Sequence, residues 1–392
     1  MRMILDRLAR TEVRFLGRAC SSFQVCGLAG LSLGTLLGVV LAVYLGLSLW
    51  VLAAILVAAI GTFLTLAMIT KIILGREILV YYHHEVAILG TTTLLLWLLR
   101  QPVLAYLDVT ILGVGTLLIF GRAGCFLVGC CHGLPHHWGV CYGKAHAEAG
   151  FTRYLAGVRL FPIQLVESAW VLGSVAGGVY LIRNGSVPGE AMAWYVITYG
   201  VGRFCFEFLR GDPDRRYRLG FTEGQWTSLA LMLAVAGSEL KGALSLHSWH
   251  VAAAAGVAAT MIAIAVSRRY RPTVRHRLLH PHHIREVAGL LERLALPAQA
   301  PLFANGERSV EIAVGRTTAG IQLSAGTIER DGDRLDHYTF SAGDGRLEQR
   351  DARALADLIL ELKHQSGLGD LVPGQRGIFH LLANRPHAVE SQ

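Results

Sequence analysis

The chain has 392 residues, 53% of them apolar and only 16% charged, a balance that excludes an ordinary soluble domain and marks a membrane protein. Its net charge of +8 is unevenly carried: 21 basic and 13 acidic residues fall up to Tyr270, and 15 of each follow. A basic excess confined to the apolar part is the mark of short loops at an anionic membrane surface, so it argues for no nucleic-acid partner.

In chain order, residues 1–22 form a basic, partly amphipathic stretch with Arg2, Arg7, Arg10, Arg14 and Arg18. The apolar run behind it is too long and unbroken for a cleaved signal peptide, and the stretch reads as an interfacial lead-in to a first span. Residues 26–70 are apolar for long enough to cross a core of about 30 Å twice at about 20 residues per crossing, turning at 46–50. Further spans are expected near 86–99, 103–120, 163–182, 190–209, 225–240 and 250–266. Backbone facing lipid must be paired internally, so these are helices, and the glycines scattered within them suggest close packing.

After Arg268, Arg269, Tyr270, Arg271 and Pro272 the composition turns polar through a stretch holding His276, His280, His282 and His283. A domain boundary is expected there. In the tail, 284–296 and 352–364 have helical spacing, and 309–314, 319–323 and 337–341 read as strands. The expected fold class is an all-α polytopic membrane helix bundle of about seven or eight spans with a small C-terminal α+β soluble domain. The expected division is a transmembrane domain at 1–270, a His-rich linker and helix at 271–300, and the α+β domain at 301–392. Counting loop charges alone, the basic loops at 71–76, after Arg122 and at 210–218 alternate with poor ones, which puts both termini in the cytoplasm.

Three segments carry chemistry. The first, Gly121-Arg122-Ala123-Gly124-Cys125-Phe126-Leu127-Val128-Gly129-Cys130-Cys131-His132-Gly133, ends an apolar helix. Its arginine offers a planar fork suited to phosphate, and Gly121, Gly124, Gly129 and Gly133 leave room for a lipid head group, the plain alternative being an arginine that snorkels at a span end. In the second, Tyr199, Arg203, Glu207 and Arg210 share one face if the helix continues. Exposing such groups to hydrocarbon costs about 2.5–3.5 kcal/mol each, so they turn inward and pair, either as a structural Arg203–Glu207 link or around an anionic ligand. In the third, Pro162 opens a helix with Gln164 and Glu167 one turn apart. Asp108 caps a helix start or pairs with an arginine, the structural role being favoured.

These segments resemble the prolipoprotein diacylglyceryl transferase family of bacterial inner-membrane enzymes. The family signature Gly-Arg-x-Gly-Asn-Phe-x-Asn-Gly-Glu is matched by Gly121, Arg122, Gly124, Phe126 and Gly129, while Cys125, Val128 and Cys130 replace Asn, Asn and Glu. Pro-Ser-Gln-Leu-Tyr-Glu is similar to residues 162–167, Tyr-Gly-x-x-Arg to Tyr199 through Arg203, and Gly-Gln-Trp to Gly224, Gln225 and Trp226, in order over residues 80–236. Where the family has His or Tyr before a glycine stretch, this chain has Tyr82-His83-His84-Glu85.

The resemblance implies a multi-pass inner-membrane transferase that moves a diacylglyceryl group from phosphatidylglycerol to the thiol of a lipobox cysteine. The acceptor would be a lipoprotein precursor or a related molecule, glycerol phosphate would leave, and no cofactor is called for. It implies that Arg122 and Arg203 hold the phosphate, that Glu207 belongs to the catalytic set, and that Tyr82 or His84 deprotonates the thiol. Gln164, Glu167, Tyr199, Arg210 and the four glycines would line the substrate, and the Arg122 loop would face the outer side. The tail, lying beyond every motif, is expected to be dispensable for the chemistry. The runner-up is a non-catalytic phospholipid-binding scaffold whose tail recruits a partner.

The seven cysteines, Cys20, Cys26, Cys125, Cys130, Cys131, Cys141 and Cys205, spell no disulfide framework. Cys125, Cys130, Cys131 and His132 read as small apolar fillers, as a reactive thiolate beside Arg122, or as a metal set that fits tetrahedral zinc poorly, and no metal site is assigned. His136, His137, His282 and His283 are expected in solvated loops.

Overall fold

The structure, a computed structural model, describes residues 2–15, 17–75, 81–213, 215–270, 278–294, 314–330, 333–343, 347–365 and 369–384. Arg76, Arg271, Pro272, His276 and residues 309–313, on which parts of the reading above fall, lie outside them.

The basic lead-in folds as α1 (Arg2–Leu8) and a hairpin of β1 (Glu12–Phe15) and β2 (Arg18–Ser21). Then come α2 (Ser22–Tyr44), α3 (Leu49–Leu74), α4 (Tyr81–Leu98) and α5 (Val103–Val128). A cap of β3 (Pro135–Cys141), α6 (Lys144–Glu148) and β4 (Arg159–Leu160) leads to α7 (Ile163–Arg183) and α8 (Glu190–Phe206). A two-residue hairpin, β5 (Tyr217–Arg218) with β6 (Phe221–Thr222), leads to α9 (Glu223–Leu240) and α10 (Ser248–Tyr270). Of these, α2, α3, α5, α7 and α10 are long and apolar enough to cross a membrane. Trp50, Val57, Ile72 and Ile73 of α3 point outward, an apolar surface suited to lipid and not to water.

Small residues decide how the bundle closes. A Cβ on Gly34 of α2 would come within 2.6 Å of the Gly113 carbonyl oxygen on α5, so these two backbones touch as only small residues allow. Asp108 settles in its structural role: from inside α5 its Oδ2 accepts from Gly189 N and its Oδ1 from Met192 N, each at 2.7 Å, capping the start of α8. Asp108→Ala leaves both amides without that acceptor and is expected to cost on the order of 2–4 kcal/mol, read as a fall in unfolding midpoint in detergent.

The tail is α11 (Pro281–Leu294), β7 (Val314–Arg316), β8 (Ile321–Arg330), β9 (Asp333–Ala342), α12 (Gln349–Leu362), β10 (Gly369–Pro373) and β11 (Ile378–Asn384). Its antiparallel sheet runs β10-β11-β9-β8-β7, and the alternating side chains Ile321, Leu323, Tyr338, Phe340 and Leu381 meet Val287, Leu291, Leu355 and Ile359 of the two helices. The solvated reading of His283 is overturned: it is buried, bonded through Nδ1 to Leu278 O and through Nε2 to Thr317 Oγ1, and burial holds its imidazole below the ordinary range. His282 is exposed and stacks on His280; His136 is half-buried at the edges of Trp138 and Phe161; the side chain of His137 lies outside the description.

The tail core is continuous with Tyr142, Phe151, Leu155 and Val158 of the cap, and His364 packs on Gly157. Asp6 of α1 pairs with Arg159 at 3.0 Å and accepts from Cys141 N at 2.8 Å. Lead-in, cap and tail therefore gather at one end of the bundle.

Candidate functional site

Three helix ends converge under the cap. Arg122 sits near the end of α5 and Glu167 in the first turns of α7; Tyr199 and Arg203 lie late in α8, and Glu207 closes that helix. All five are buried. Glu167 is the hub: Oε2 takes Arg122 Nε at 3.0 Å, while Oε1 faces Arg203 at 3.5 Å and accepts from the Tyr199 hydroxyl at 3.1 Å. Arg203 extends the chain to Glu207 Oε1 at 2.5 Å, and Glu207 Oε2 takes Arg215 at 2.7 Å.

The expected Arg203–Glu207 link is thus present, but as one segment of a longer network. Arg210 does not continue the helical face of Tyr199, Arg203 and Glu207, because α8 stops at Phe206 and its last carbonyls take tighter turn bonds. A backbone bridge to Gly133 places Arg210 instead, 3.6 Å from Glu207 and in a two-point contact with Asp212 at 2.9 and 3.0 Å. Gly133 itself is required on its other side, where a Cβ would meet the Phe161 carbonyl oxygen at 2.3 Å. Gly124 packs on α2, Gly129 ends α5 with a positive φ beside Phe151, and Gly121 has open space beside it. Gln164 donates to Cys130 O at 2.9 Å and so ties α7 to the end of the signature segment.

Beside Arg203 a cleft is lined by Tyr82 and Glu85 of α4, Tyr195, Tyr199 and Gly200 of α8, and Gly224 and Ser228 of α9. The capping box of Thr222 and Gln225 starts α9, and Gly224 then lies where any Cβ would crowd Glu207 and Arg203 at 3.2 and 3.3 Å. His84 packs its ring, tilted by 36°, against Phe63 of α3 with centroids 4.6 Å apart, and is not among the cleft residues; His83 pairs with Glu223 at 2.9 Å on the exposed side. Glu85 and Arg215 were missed from sequence. Glu85 stands three residues after Tyr82 and so on its helix face, a spacing that could have found it. Arg215 was read as a topological loop charge.

The ion-pair network holds four guanidiniums, Arg122, Arg203, Arg210 and Arg215, against three carboxylates, Glu167, Glu207 and Asp212. These ion pairs leave one positive charge over, equal and opposite to the charge of a single phosphodiester. Next to it, the Cys131 thiol is held low by thiol hydrogen bonds from Cys125 and Cys130 and by the charges of Arg210 and Arg122.

Compared with known proteins, residues 47–240 match the sequence model of the prolipoprotein diacylglyceryl transferase family. Similar proteins include the phosphatidylglycerol–prolipoprotein diacylglyceryl transferase of Clostridium tetani, 36% identical over 111 residues that make 28% of this chain and 43% of that protein. The second such enzyme of Clostridium perfringens is 36% identical over 29% of this chain and 43% of its own, and that of Streptomyces coelicolor 32% identical over 34% and 42%. The chain thus spans less than half the length of these relatives.

Proposed function

We propose, for a chain whose residues 47–240 are a domain of the prolipoprotein diacylglyceryl transferase family, that it moves a diacylglyceryl group from phosphatidylglycerol to a cysteine thiol of a lipoprotein precursor or related acceptor. The observation that carries this reading is the joining of Arg122 and Arg203 on Glu167 next to the Tyr82 and Glu85 cleft. A phosphodiester entering there takes up the spare positive charge, and the two forks hold its oxygens from different helices. The acceptor sulfur attacks the glyceryl carbon bonded to the phosphate oxygen; the carbon–sulfur bond forms, the carbon–oxygen bond breaks, and glycerol phosphate leaves with the electron pair. The arginines stabilise the charge growing on the leaving oxygen.

The thiol proton goes to Glu85, with Tyr82 beside it in the same cleft, since His84 packs away on Phe63. Gly121, Gly124, Gly129, Gly133, Gln164 and Arg210 act by shaping and fastening the floor of the site. Purified protein given labelled phosphatidylglycerol and a lipobox peptide is expected to yield the thioether and free glycerol phosphate. A well-folded preparation that forms neither refutes the transferase.

All eight long helices act as spans in this reading, in a bacterial inner membrane. The arginines of the site then serve lipid and have no vote on topology, so the cap faces outward, and the lead-in and tail, packed against it, face outward too. A reporter fused within 144–159 or at the C-terminus is expected to read the outer side, and a cytoplasmic signal refutes the orientation. The bundle at 1–270, the connection at 271–300 and the region from 301 are treated as separable for the chemistry. Truncation at Arg271 is expected to leave lipid turnover measurable while lowering the protease resistance of the cap, whose Tyr142, Phe151 and Leu155 lose their apolar cover. Complete loss of turnover in a well-inserted truncation would make the tail part of the site.

A further inference from the structure

The thiols of Cys125, Cys130 and Cys131 form a cluster that the lipid chemistry leaves without a task. Their three sulfurs all lie within 4.8 Å of one another, and no other group of three metal-ligating side chains is so placed among the described residues. The backbone gathers them. Helix α5 ends at Val128 with Gly129 N donating to Cys125 O, and Cys131 then takes a φ of 51°, left-handed for a residue that has a Cβ. Such a conformation is strained and persists where its surroundings enforce it. Gln164 fastens the carbonyl of Cys130 from α7. Cys125 is buried, Cys131 half-buried and Cys130 exposed, so the cluster is open to the cap side.

We propose that Cys125, Cys130 and Cys131 are a three-coordinate thiolate site for a thiophilic soft cation of the Cu(I) class. With metal–sulfur bonds of about 2.3 Å a trigonal set places its sulfurs about 4 Å apart, which these residues reach by contracting less than about 1 Å. Three sulfur donors without oxygen select a soft ion over Mg2+ or Ca2+. The tetrahedral zinc set is not assembled, because the three sulfurs gather without His132, which is not among the ligand atoms within 4.8 Å of one another. Binding breaks the S–H bonds that the three cysteines still hold, forms three metal–sulfur bonds and releases those protons to solvent; no electron moves.

The site stands or falls apart from the transferase reading. The reduced full chain in detergent, given Cu(I) without oxygen in the presence of a chromogenic chelator, is expected to retain one ion per chain, with three sulfur neighbours by X-ray absorption. Cys125→Ser, Cys130→Ser and Cys131→Ser should each weaken retention at least tenfold, and Cys205→Ser should leave it unchanged. Cys130→Ser, at an exposed position, keeps the test free of folding defects, checked by its unfolding midpoint. No retained ion, retention indifferent to the three serine variants, or a disulfide within the cluster of the reduced protein would each overturn the proposal.

Discussion

Arg203→Lys is expected to insert and fold like the parent and to lose about 10²–10³-fold in transfer from phosphatidylglycerol, the loss that follows removal of one positioned donor from a developing oxyanion. Arg203 spends its two ends on different carboxylates, Glu167 at 3.5 Å and Glu207 at 2.5 Å. An ammonium retains the charge but reaches only one of them, and it presents no planar pair of donors to a phosphate. Arg122→Lys should behave alike, since it approaches Glu167 from α5 on the opposite oxygen. Initial rates with labelled phosphatidylglycerol, set beside unfolding midpoints in detergent, separate this pattern from a structural one. Full activity in both lysine variants would sink the assignment of these arginines to the phosphate, and a shared collapse in folded yield would make them girders of the bundle.

The larger effect on stability is expected from Glu167→Ala. Glu167 is 1% exposed and holds two buried guanidiniums and the Tyr199 hydroxyl, so its loss strands positive charge in a low dielectric at a cost of about 3–5 kcal/mol. Glu167→Gln keeps an acceptor for Tyr199 and should fall between. Because a phosphodiester supplies the missing negative charge, phosphatidylglycerol should raise the unfolding midpoint of Glu167→Ala by more than it raises that of the parent. A zwitterionic lipid of equal chain length is the control. A cost below about 1 kcal/mol, the scale of a solvated pair, would show that the network is not desolvated in the membrane.

The bundle was legible because lipid allows so few solutions: an apolar run of sufficient length must be helical, and the expected runs lie on helices α2–α5 and α7–α10, five of them long and apolar enough to cross a membrane. The tail was readable in part, since the periodicity of 284–296 and 352–364 lies on α11 and α12; β10 and β11, short and mixed in composition, carried no such pattern. Arg122, Glu167 and Arg203 stood out as ionisable residues at the ends of apolar runs, which hydrocarbon forces inward wherever they sit. Burial of Arg122, Glu167 and Arg203 could therefore be read from their own segments, whereas the partners of these charges came only with the assembled bundle. Glu167 could be seen beside Gln164 but not as the hub between α5 and α8, and Arg210 followed a backbone bridge to Gly133 and not the helical period. Tyr82 and Glu85 entered the cleft while His84, between them, turned to Phe63. Burial is a property of a residue and its own segment, readable one run at a time. Pairing depends on which helix faces meet and which way each side chain leaves its backbone, and those are set only when the α2 and α5 backbones close on their glycines and the cap comes down on the tail.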